Sequence, residues 1–136
     1  MDVIARQRAL ESLVDRLTGI APPGWVRVRA GFDTHPDGSD LTWAIVGGVN
    51  LGDRWAFGQF DNDPVVYDLA VQFLTASEPA WTSCVVTVDR GADFDVDLGY
   101  DAAAPAGQFS PAVREALDNF PADFEKTFGA PPHAAG

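Results

Sequence analysis

Residues 2–19 carry Ile4, Leu10, Leu13, Val14 and Leu17 at near-helical spacing, with Ile20 just beyond and charged or polar neighbours between. That spacing predicts an amphipathic helix, which Thr18-Gly19 and then Pro22-Pro23-Gly24 bring to an end. The period then switches to two. In WVRVRAGF (25–32), Trp25, Arg27, Arg29 and Gly31 share one side and Val26, Val28, Ala30 and Phe32 the other, the pattern of a half-buried strand. The polar stretch 34–40 turns the chain into LTWAIVGG (41–48), and Asn50 to Asp53 turn it into RWAFGQF (54–60). Three successive strands with short links predict an antiparallel meander. Asp63 then precedes Pro64, an N-cap followed by proline at the first helical position, and Val65, Val66, Leu69, Ala70, Phe73 and Leu74 supply a helical face that Glu78-Pro79 terminates.

The next segment, AWTSCVVTVDRGADFDVDLGYD (80–101), reads as a hairpin. Thr82, Cys84, Val86 and Val88 share one face of its first strand, and Phe94, Val96, Leu98 and Tyr100 one face of its second. Both apolar sets belong on the core side of a sheet, which excludes a two-residue turn, because that register pairs Val88 with Asp93. A three-residue loop, Arg90-Gly91-Ala92, pairs Val88 with Phe94, Val86 with Val96 and Cys84 with Leu98, and requires Gly91 at positive φ. In that register Asp93, Asp95 and Asp97 line the opposite face, with Asp101 beyond.

Ser110-Pro111 repeats the cap-plus-proline signal and opens helical stretches at 111–119 and 122–128. The fold class is therefore α+β: a mostly antiparallel sheet of about five strands with helices packed on one face, in the order α-β-β-β-α-β-β-α. Residues 1–128 form a single domain, and 129–136, GAPPHAAG, are expected to be a disordered tail.

Charge adds a direction to this picture. The net charge is −11. Residues 1–60 hold seven acids and six bases, residues 61–101 nine acids and one base, and residues 102–136 four acids and two bases. This field repels nucleic acid and anionic membrane and attracts a basic partner. No apolar run approaches a membrane span, and the charged N-terminus is unlike a secretory signal, so a cytoplasmic location is expected.

Candidate chemistry is sparse. Cys84 has no second cysteine to pair with, and its place among apolar strand residues marks a core thiol. The aspartate row lies on a straight strand, whereas calcium needs oxygen ligands converging from a curved loop, so no metal or other cofactor is expected. No P-loop, dinucleotide fingerprint, nucleophile elbow or zinc-protease motif occurs, and His35 and His133 lie in a polar turn and the tail. The reading is non-enzymatic.

The segment Glu78-Pro79-Ala80-Trp81-Thr82-Ser83-Cys84, followed by a strand, a turn and Phe94-x-Val96-x-x-x-Tyr100-Asp101, resembles the YezG-like bacterial immunity proteins, whose hallmark is a P-W-T-S segment before a G-x-F-x-V-like strand. Pro22-Pro23-Gly24-Trp25-Val26-x-Val28 is similar to the segment that follows the N-terminal helix in that family, and Phe124 and Phe128 match its aromatic C-terminal helix. Ala80, inserted between Pro79 and Trp81, departs from the pattern. The resemblance implies a cytoplasmic antitoxin that binds a cognate secreted toxin, a nuclease being favoured by the acidic charge, by stoichiometric complex formation and without turnover. An adaptor or chaperone for a secreted protein is the alternative, with a metal-binding sensor behind it.

The candidate partner-binding residues are Asp93, Asp95, Asp97 and Asp101, together with Asp61, Asp63 and Trp81. Two of these have a second role open to them. Asp63 can cap its own helix, and Trp81 can either stand exposed beside the aspartates or pack at the sheet edge.

Overall fold

The strand read from WVRVRAGF, β1 (Trp25–Thr34), is the middle of the sheet. In a computed structural model of the chain, which describes residues 3–37, 40–91 and 93–129, β1 is flanked by β2 (Leu41–Asn50) and β4 (Ser83–Asp89), with β3 (Trp55–Phe60) and β5 (Phe94–Gly99) at the edges. Every neighbouring pair is antiparallel. Among the described residues the helices are α1 (Val3–Ile20), α2 (Pro64–Thr75), α3 (Pro111–Asp118) and α4 (Phe120–Phe128). The α+β class, the five strands and the element order agree with the sequence.

One face of the sheet carries the main core. Val28, Ala30 and Phe32 of β1, Ile45 of β2 and Cys84, Val86 and Val88 of β4 are fully buried against Leu13 and Leu17 of α1 and Val66, Ala70 and Phe73 of α2. Burying each large side chain contributes roughly 1.5–3 kcal/mol, so this layer dominates the stability of the fold. Both expected caps form. The Asp63 carboxylate accepts the Val65 N–H at 2.8 Å, and the Ser110 hydroxyl accepts the Val113 N–H at 3.3 Å.

The helices do not all lie on that face. α3 and α4 cover the opposite side of β1 and β2, where Gly31 and Gly48 leave room for them: a Cβ on Gly31 would stand 2.6 Å from Val113, and one on Gly48 2.5 Å from Phe124. β1 is consequently buried on both sides rather than half-buried, and Arg27 and Arg29 are each only 8% exposed.

The hairpin has the expected odd loop. Val88 pairs with Phe94, Val86 with Val96 and Cys84 with Leu98. Gly91 has φ 110°, and the Asp89 N–H donates to the Asp93 carbonyl at 2.8 Å to close the loop. Ala92 lies outside the described residues. Of the expected tail, Gly129 ends α4 and its carbonyl accepts the Trp55 indole N–H at 2.9 Å, while 130–136 lie outside the described residues.

Candidate functional site

Strand parity turns Val96 and Leu98 of β5 toward the core and Asp93, Asp95 and Asp97 toward the α3–α4 side. The two helices lie over β1, β2 and β4 and stop short of the edge strand, so the three carboxylates remain exposed. Between this row and the helices runs a cleft of about 500 Å³. Arg27, Arg29, Val85 and Thr87 form its sheet side, Asp93, Asp95 and Asp97 its outer rim, and Ala116, Asp123 and Thr127 its helical wall.

The arginines in the cleft are already paired. Arg27 grips Asp89 with both ends of its fork, Nε to Oδ1 at 2.5 Å and Nη2 to Oδ2 at 2.9 Å, and lies 4.9 Å from the Phe128 ring centre. Arg29 donates to the Thr87 hydroxyl and the Ala116 carbonyl at 2.9 Å each and to Asp123 Oδ2 at 2.5 Å, with Phe120 alongside. With Arg27 Nη1 donating to the Thr127 hydroxyl at 3.3 Å, each nitrogen of both guanidinium groups has a partner, which is what allows them to leave water. The hydrogen bond to Asp89 raises the Arg27 pKa against the desolvation that lowers it, and Asp123 and Asp95 add to the rise. The Arg29 hydrogen bond holds the Asp123 carboxyl below the usual carboxylate range.

Five carboxylates against two guanidinium groups leave the cleft acidic. Asp89 and Asp123 are spent on the arginines, whereas none of Asp93, Asp95 and Asp97 makes a salt bridge among the described residues. Neighbouring aspartates on one side of the strand stand about 7 Å apart, near the Debye length of physiological salt, so the row costs the fold little. It presents a line of negative charge beside a concave surface.

The other candidates lie elsewhere. Asp101 is exposed in the bend after β5 and does not line the cleft. Asp61, also exposed, follows β3 at the far edge of the sheet, where it lines a separate cleft with Asp63. Asp63 caps α2 and holds Arg16 at 2.6 Å; burial pushes its carboxyl up, but the Val65 amide and Arg16 together outweigh it and keep the pKa low. Trp81 is not a surface anchor. It is 1% exposed, packed on Phe73 with ring centres 5.9 Å apart, because regular strand structure begins only at Ser83 and the aspartate parity does not reach back to it.

Cys84 is buried, and burial pushes its thiol pKa up, away from the reactive thiolate form. Among the described residues no three His, Cys, Asp or Glu side chains gather into a metal-sized group. The residues that sequence reasoning passed over are Arg27, Arg29, Asp89 and Asp123, which build the floor and inner wall of the cleft. Their one local signal is arginine alternating with valine in β1. No protein-family model matches the chain, and no curated protein matches it.

Proposed function

We propose that the protein is a cytoplasmic immunity protein of the YezG-like type, which binds a basic, secreted bacterial toxin domain and neutralises it by stoichiometric complex formation. One observation carries the reading: Asp93, Asp95 and Asp97 form an exposed acidic row, without a salt bridge among the described residues, on the rim of a cleft whose inner charges are already matched. A nuclease is the favoured toxin class, because a nuclease domain presents cationic side chains for phosphate and the row offers carboxylates in the place of phosphates. Close, desolvated charge pairs of this kind dominate affinity where they form. The protein itself performs no turnover in this reading.

The test is the triple variant Asp93→Lys, Asp95→Lys, Asp97→Lys. These side chains are exposed, so the variant keeps the fold, which circular dichroism checks, while affinity for the cognate toxin falls by about a hundredfold or more and protection of toxin-producing cells is lost. A triple variant that protects and binds like the parent would place the interface elsewhere.

A further inference from the structure

β5 has one bonded side and one free side. The Asp89 N–H to Asp93 carbonyl bond fixes the alternation, so odd-numbered residues of β5 bond to β4. The β1 side agrees: the Thr82 carbonyl accepts the Thr34 N–H and the Arg90 N–H donates to the Val26 carbonyl, while the Thr82 N–H, just ahead of β4, turns to the carbonyl of Gly99, itself an odd-numbered residue of β5. The N–H and C=O groups of Phe94, Val96 and Leu98 therefore point away from the sheet, and no strand covers them among the described residues.

The two faces at this free edge differ in chemistry. One carries the aspartate row. The other carries Phe94, 41% exposed, and a small cleft of about 220 Å³ in which Val3, Leu10, Phe73, Val96 and Leu98 are joined by Arg6 and Gln7 of α1. A strand laid against β5 would sit about 4.8 Å away with its side chains divided between those faces. Charge complementarity selects its sequence: basic residues over Asp93, Asp95 and Asp97, apolar residues over Phe94, Val96 and Leu98. A second copy of β5 fails that test, since pairing edge to edge would align two rows of aspartate.

We infer that β5 is a strand-addition site, at which an extended segment of the partner, with basic and apolar residues alternating, extends the sheet as an antiparallel sixth strand. This rests on reading the protein as a binder of a basic partner and adds the form of the contact. Main-chain hydrogen bonds to Phe94, Val96 and Leu98 supply affinity, and the sorted faces supply selectivity.

Synthetic peptides test this without any change to the protein. In an antiparallel sixth strand the peptide residues opposite Phe94, Val96 and Leu98 are both the apolar ones and the ones whose amides bond to β5. A peptide of alternating lysine and valine is expected to bind the full chain and to slow hydrogen exchange at the amides of those three residues. Replacing its lysines by glutamate should weaken binding by about a hundredfold. N-methylation of its valine amides should cost about tenfold or more, and N-methylation of its lysine amides should not. Equal effects of the two methylation patterns, or binding that leaves the three amides exchanging freely, overturn strand addition in favour of side-chain charge contact alone and leave the binder reading standing. Failure of the lysine peptide to bind also overturns it, while the binder reading is decided separately by isolating the toxin complex.

Discussion

Arg29 and Asp123 stand 94 positions apart in the chain and meet at 2.5 Å in the cleft. That pair and the buried Asp33 give the protein two acid-linked effects of opposite sign. The Asp123 carboxyl is held low, first by the Arg29 hydrogen bond, so its stabilisation is complete above the unfolded pKa of about 3.9 and is lost as pH falls through the folded value. Asp123→Asn should cost about 1 kcal/mol near neutral pH, the exposed flank of the carboxylate screening the pair, and the cost should shrink in acid. Asp33 is 1% exposed; burial raises its pKa, partly offset by the Ser110 amide, which donates to Oδ2 at 2.8 Å. Its contribution is therefore complete below the unfolded value and is lost as pH rises through the folded one. The stability of Asp33→Asn relative to the parent should climb between about pH 3 and pH 7. Urea denaturation at the two pH values reads both effects, and a flat or reversed difference for either variant contradicts the assignment.

At the scale of elements, the close seating of α3 and α4 depends on two small residues. Gly48→Ala places a methyl group 2.5 Å from Phe124, within a ring cluster that includes Trp55, Phe57 and Phe120. Overpacking there should cost about 1–3 kcal/mol, and more than Gly58→Ala, whose Cβ would meet nothing within 4 Å. Thermal unfolding of the two variants makes the comparison, and equal losses would show that the seating tolerates a shift. These glycines also mark where sequence reading stopped. The helix faces, both N-caps and the hairpin register were legible because each is written in local spacing: the apolar parity of 82–88 and 94–98 permits one register. The second helical layer was not legible. α3 and α4 span eight and nine residues, and nothing in their spacing names the sheet face they cover. The arginines failed to announce themselves for a related reason. Local pattern puts Arg27 and Arg29 on the solvent side, and their neutralising partners, Asp89 and Asp123, arrive 62 and 94 residues later. The aspartate row was read correctly as a face, but the cleft it borders needed tertiary structure.

For the whole molecule, that row also bears on whether the protein associates with itself. Among the described residues β5 ends the sheet with a free hydrogen-bonding side, and Phe94 is exposed beside it, features that invite edge-to-edge pairing. Aspartate is poor in strand propensity, so placing Asp95 and Asp97 within β5 and Asp93 just ahead of it weakens the strand locally while charging the edge against a copy of itself. Replacing all three by threonine reverses both effects, since threonine favours strands and carries no charge. The triple threonine variant should fold at least as stably as the parent and yet sediment as larger species as concentration rises. Raising salt should move the parent in the same direction, because about 1 M salt shrinks the Debye length to roughly 3 Å, well below the spacing between facing rows. Adding Val96→Pro to the threonine variant should restore the parent's sedimentation, since proline removes an outward N–H and none of the bonds to β4. If the threonine variant sediments like the parent at every concentration, the row does not guard the edge, and its charge is left with partner recognition alone.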